Sequence, residues 1–255
     1  MSAPPETRVS PRGRTAGTRT CSTETRLTLL NSFAILRGGY ALQLPPGAQR
    51  VVAFIALHEH PLERAYVAGS LWLHTPEERA HANLRSALWR IRRVGQRLIE
   101  TTGAQLRMGS EVSVDLREAE KVARRTLAHG APIDLDVAPL MGDLLPDWYD
   151  EWVLLERERF RQLRLCALEA LCRRLTNAGR LNEALVAGLA AVAGEPLRES
   201  AHRALVSVHL AEGNVGEAIR QYRLCEQLLR EQLGVAPSAS MEELVGGIDA
   251  LDTAR

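Results

Sequence analysis

Residues 79–97 read RAHANLRSALWRIRRVGQR, six arginines in one stretch with no acidic residue. Leu84, Leu88 and Ile91 recur at the i, i+4, i+7 spacing of a helix face that turns inward. Arg85, Trp89, Arg92 and Arg93 then fall mainly on the outward side. A helix that is apolar within and purely cationic without suits the major groove of DNA, where arginine bonds bidentately to guanine O6 and N7 and an indole packs on a thymine methyl. Arg85, Ser86, Trp89 and Arg93 share the outer face and are expected to touch bases. Arg90, Arg92 and Arg97 suit phosphates, which set register and carry no sequence information. Asn83 either joins them or caps a local turn, and Trp89 has a second reading as a brace for the element that follows.

Arginine is abundant everywhere: 31 of the 32 basic residues are arginine, Lys121 being the exception. Arginines crowd residues 157–164 and 173–180 as well, but there Glu156, Glu158 and Glu169 interleave with them, as on a solvated helix face. The missing acid is what sets residues 79–97 apart. The net charge of the whole chain is only +1, so affinity for nucleic acid has to come from this local asymmetry.

Short apolar runs at 27–30, 33–37 and 40–44, broken by Asn31-Ser32 and Gly38-Gly39, predict strands that end at Pro45-Pro46-Gly47. Helices follow at 48–58 and 62–72, with Pro61 between them. Thr75-Pro76-Glu77-Glu78 is a capping box with proline at the first helical position, and its glutamates complement the helix dipole. The basic helix then runs to about Val94, with Gly95 as terminator. Residues 97–101 and 105–108 flank the turn Thr102-Gly103-Ala104 and read as a hairpin, and 112–114 as a last strand. This order describes a winged helix-turn-helix in which the third helix reads and Arg107 on the wing reaches a phosphate or the minor groove.

The remainder is helical. Helices are expected at 116–128 and 148–175, with a proline- and glycine-containing loop between them. Ala167, Ala170, Leu171, Gly179, Glu183 and Ala184 recur 34 residues later as Ala201, Ala204, Leu205, Gly213, Glu217 and Ala218, the tetratricopeptide period. Trp148 and Trp152 are expected on one helical face, sealing the interface with these repeats, in preference to forming a ligand-binding aromatic cluster with Tyr149. The fold class is therefore mainly α with a small β component. Residues 1–22 are read as a disordered tail, 23–114 as the winged helix and 115–255 as a helical-repeat domain whose concave surface can hold a partner.

Enzyme chemistry finds no support. The single lysine lies in AEKVAR, far from any phosphate-cradling glycine loop, and GxSxG, HExxH and CxxC motifs are absent. His58 and His60 flank Glu59 at a helix end, and the other histidines make no ligand set, so no metal or cofactor is expected. Cys166, Cys172 and Cys225 sit in helical patterns as small buried thiols, consistent with a reducing cytoplasm. No apolar run reaches the ~18 residues of a membrane span, and the first 22 residues lack the apolar core of a signal peptide.

Two stretches carry a resemblance. GDLLPDWYDEWVLLERERFRQLRLCALEAL at 142–171 and PLRESAHRALVSVHLAEGNVGEAIRQYRLCEQLLREQLGVAPS at 196–238 closely resemble the bacterial transcriptional activator domain. NLRSALWRIRR and the order of elements around it resemble the OmpR-type winged helix that precedes that domain. Together they resemble the small two-domain form of the Streptomyces antibiotic regulatory proteins. The resemblance implies an activator of secondary-metabolite gene clusters, located with the nucleoid in the cytoplasm. It also implies binding to direct repeats of double-stranded DNA near a promoter, as paired protomers, and contact with RNA polymerase and its sigma factor. Larger members carry a nucleotide-binding module beyond this region, and no such switch is expected here. Trp89 stands where related reader helices have a small polar residue, and Leu106 where the wing commonly has an aromatic. The alternative is a helical-repeat adaptor whose winged helix binds protein, a reading that predicts selective binding to no genomic fragment, whereas a true DNA reader loses affinity as salt rises.

Overall fold

The computed structural model describes residues 24–94, 97–128, 130, 132–134 and 136–252, the side chains of 247–252 excepted. The expectations for the first 22 residues, Cys21, Gly95 and His129 lie outside the described residues. The chain opens with β1 (Thr25–Thr28), β2 (Ala34–Arg37) and β3 (Tyr40–Ala41), then α1 (Pro46–Ala56), β4 (Leu62–Glu63), α2 (Arg64–Leu71) and α3 (Glu77–Val94). A hairpin of β5 (Ile99–Thr102) and β6 (Gln105–Met108) follows, and β7 (Val112–Val114) ends this part. The rest is helical: α4 (Asp115–Leu127), a 3-10 turn (Ala138–Met141), α5 (Glu151–Asn177), α6 (Leu181–Gly194), α7 (Glu199–Ala211), α8 (Val215–Leu233) and α9 (Ala239–Asp252).

The first sheet has the order β3-β2-β1-β7, in which β7 runs parallel to β1 and the other pairs are antiparallel. The second has the order β4-β6-β5, all antiparallel. Leu62 and Glu63 are therefore not helical, contrary to expectation. Leu62 lies opposite Leu106, Glu63 opposite Gln105, and the Arg64 N–H donates to the Ala104 carbonyl at 2.9 Å. Pairing with the wing takes these two residues before α2 can begin. Three helices followed by a hairpin make this part a winged helix-turn-helix.

One apolar core runs from Leu27 and Ile35 through Phe54, Leu84 and Leu106 to Leu140, Leu144, Val153 and Leu168. Polar groups stitch the same seam. The Asp115 carboxylate, at the start of α4, accepts the Leu29 N–H (2.8 Å), the Leu30 N–H (3.1 Å) and its neighbour Leu116 N–H (2.7 Å). Leu30 bridges to Leu144, and Asn31, in the left-handed region at φ 66°, exchanges hydrogen bonds with Asp143. Arg117 donates to the Ala56 and His58 carbonyls at 3.3 and 3.0 Å, and Arg50 pairs with Asp150 at 2.5 Å.

Helix α5 begins three residues later than the pattern predicts, because the chain before it is held by carbonyl contacts. Arg157 donates to the carbonyls of Leu144, Leu145 and Trp148. Trp148 thus lies before the helix, and it does not seal the repeats. It stacks on Phe33 with ring centroids 5.6 Å apart, while Trp152 meets Phe54 edge-on at 5.2 Å. Both tryptophans close the seam toward the winged helix, and Tyr149 is exposed.

The 34-residue repeat becomes two helical hairpins, α5–α6 and α7–α8. Gly179 and Gly213 occupy equivalent turns at φ 73° and 74°, a left-handed conformation in which a side chain is strained. Ala167, Ala201, Ala184 and Ala218 are buried at the helix crossings. Cys172 and Cys225 are buried, and desolvation pushes both thiols up to about 11. Cys166 is only half-buried, and Arg198 donates to its Sγ at 3.3 Å.

Two outcomes follow from this packing. Asp115→Ala leaves the Leu29 and Leu30 N–H groups at the seam without an acceptor, so denaturant unfolding should show a loss of about 2–6 kcal/mol, from ~1–3 per stranded group, with Asp115→Asn losing less. His202 is buried, its Nε2–H donating to the Pro196 carbonyl (2.8 Å) while the Gln221 amide donates to Nδ1 (2.7 Å). Burial lowers its pKa, so its contribution is present above the unfolded value and lost as pH falls through the folded one. Melting temperature should therefore drop between pH 7 and pH 5 in a way that His202→Gln flattens.

Candidate nucleic-acid interface

The orientation of α3 is set from beneath. Ala80, Leu84, Ala87, Leu88 and Ile91 are buried, and at 3.6 residues per turn they occupy an arc of about 100°. Arg85, Trp89, Arg93 and Ser86 fall on another arc of about 100°, on the outer side. All four are exposed, Trp89 at 57%. Arg90 and Asn83 lie on one flank of that arc and Arg92 on the other, all exposed. A helix laid in a groove along this arc presents cations to bases in the middle and to a phosphate strand on either side. Glu77 and Glu78, the carboxylates of the helix, are confined to its first turn.

Among the described residues, no carboxylate lies within ion-pair distance of Arg85, Arg90, Arg92 or Arg93. The guanidinium of Arg93 instead sits over the Trp89 ring, with Cζ 4.9 Å from the centroid. Arg92 reaches Thr101 Oγ1 of the wing at 3.4 Å. More than half of the Trp89 surface is open.

The wing arginines differ. Arg107 lies opposite Glu100 in the hairpin register and donates to its carboxylate, Nη2 at 2.6 Å and Nε at 2.8 Å. The Ser110 N–H and Arg107 hold the Glu100 carboxyl below the usual range. Residue spacing does not reveal the pairing of Glu100 with Arg107, because it depends on the hairpin register. Arg97, at φ 75°, faces Glu111 at 3.8 Å with both side chains largely exposed, a weak pair. Its carbonyl sits so close to Gly109 that a Cβ there would stand 1.9 Å from the oxygen, which pins the base of the wing. Ala82 also falls on the outer arc by helical periodicity and Arg79 on the flank beside Arg90, both exposed.

Among the described residues there is no group of three or more His, Cys, Asp or Glu side chains that could hold a metal ion, and no helix is long and apolar enough to cross a membrane.

Residues 104–248 match the model of the bacterial transcriptional activator domain. The chain is similar to Regulatory protein AfsR of Streptomyces coelicolor, 27% identical over 236 residues that cover 86% of this chain and 24% of that protein. It thus spans about a quarter of that relative's length. In fold it is similar to Mycobacterium tuberculosis EmbR, solved in complex with a low-affinity phosphopeptide. The TM-score is 0.72 at 17% identity, covering 89% of this chain and 65% of that one. The wing, the helical pairs and the matched residues lead to one conclusion: the chain belongs to the bacterial transcriptional activator domain family.

Proposed function

We propose that this protein is a sequence-specific DNA-binding transcriptional activator of a secondary-metabolite gene cluster, acting in the cytoplasm at the nucleoid. It binds direct repeats near a promoter as paired protomers and contacts RNA polymerase and its sigma factor through the helical part. The observation that carries the reading is the outer arc of α3, cationic and free of carboxylate partners among the described residues. Arg85, Ser86, Trp89 and Arg93 read bases. Arg90, Arg92, Arg97 and Asn83 hold phosphates, and Arg107 joins them once Glu100 releases it. Residues 23–114 are the reading unit and 115–255 the activating one, joined by the Asp115 seam.

The test is capture of sheared genomic DNA by the full chain, followed by sequencing. Enrichment of a few promoters that share a direct repeat supports the reading. Recovery that is uniform and vanishes at modest salt favours the protein-binding adaptor instead. On a captured repeat, Arg93→Ala should relax base preference, whereas Arg97→Ala should weaken cognate and random duplexes alike; equal losses in both would overturn that division. Glu100→Gln frees Arg107, so binding at low salt should tighten and the log–log salt slope should steepen by about 0.9, one phosphate contact.

A further inference from the structure

We infer that Trp89 and Arg93 form one reading unit for two neighbouring base pairs, Arg93 bonding a guanine and Trp89 covering the methyl group of an adjacent thymine. This deepens the proposed function and rests on it. Three observations carry it. The two residues are one helical turn apart at the centre of the outer arc. Trp89 is 57% exposed, a large apolar ring that the fold itself leaves uncovered. The Arg93 guanidinium lies over that ring at 4.9 Å, with no carboxylate among the described residues to draw it away.

The geometry follows from base stacking. A guanidinium that bonds both O6 and N7 of guanine lies in the plane of that base. Trp89, whose ring that guanidinium overlies with Cζ 4.9 Å from the centroid, then reaches about one layer along the helix, where the next base pair stands about 3.4 Å away. On that neighbouring pair the major-groove edges of guanine, adenine and cytosine carry no methyl group, whereas thymine presents one at C5. A carbon ring laid on a polar edge leaves hydrogen bonds unmade, and on the methyl it gains apolar contact. The ring also holds the guanidinium in place before DNA arrives, so less side-chain freedom is lost on binding. Arg85, on the same arc with no aromatic ring beside it among the described residues, is the internal contrast.

The experiment starts from an operator captured with the full chain. Each thymine is replaced in turn by deoxyuridine, which removes only the methyl group, and each guanine by 7-deazaguanine, which removes N7. Titrations compare wild type, Trp89→Ala, Trp89→Phe and Arg93→Ala, with melting temperature as the check that these exposed positions leave the fold intact. One deoxyuridine position should weaken wild type about fourfold, the equivalent of about 0.8 kcal/mol for a methyl-sized group. That thymine should neighbour a guanine whose 7-deaza form also weakens binding. Trp89→Ala should be indifferent to the deoxyuridine, Trp89→Phe should keep part of the discrimination, and Arg93→Ala should be indifferent to the 7-deazaguanine. An operator with no such step, or discrimination that survives in Trp89→Ala, overturns the inference alone. A failure to capture any operator overturns the proposed function and the inference with it.

Discussion

Burial of the inner face of α3 governs what the outer face offers. An isolated 18-residue helix with five arginines in its sequence has little reason to persist in water, since most helix stability in proteins comes from packing an amphipathic face. Leu84, Leu88 and Ile91 supply that face, and Ala80 and Ala87 let the neighbouring helices approach. The stripe also sets rotation. Turning the helix by one residue, about 100°, would drive Arg85 inward and leave Leu84 in solvent, exchanging apolar burial for an unpaired buried charge. The direction of each cation on the outer arc is therefore a consequence of hydrophobic packing.

The second constraint is the seam between the winged helix and the helical stack. It is covered on its apolar side by Phe33, Phe54, Trp148 and Trp152, and satisfied on its polar side by Asp115, Asn31 and Arg157. A carboxylate that accepts three backbone N–H groups from two separate segments fixes both position and angle, because hydrogen bonds are directional. The helical hairpins thus stand at a set orientation to α3. In the proposed role, this places the activating surface at a fixed distance from the bound groove.

Electrostatics distinguish α3 from the rest of an arginine-rich chain. On the helical stack Arg161 meets Glu158 and Glu195, Arg180 meets Glu183 and Asp134, and Arg198 meets Glu169. The wing arginines are matched by Glu100 and Glu111. With a net charge of +1 there is little long-range field to attract polyanions to other surfaces. The arginines of α3 that lack a carboxylate partner among the described residues form a local patch.

Local periodicity made much of this legible in advance. The apolar stripe of α3, the turn at Gly103, the strand 112–114 and the 34-residue repeat are written in neighbouring residues, because side-chain direction along a helix or strand depends only on spacing. The sequence alone determined that one helix is cationic outside and apolar inside, and that the second half is built of paired helices. Only the tertiary structure decided that Leu62 and Glu63 join the wing, that Trp148 leaves its helix to cover Phe33, that Glu100 holds Arg107 and that Arg93 rests on Trp89. Each of these depends on which group stands opposite after folding, or on the rotamer it adopts there. Such pairings are set by strand register and by packing between elements far apart in the chain, and residue spacing carries neither.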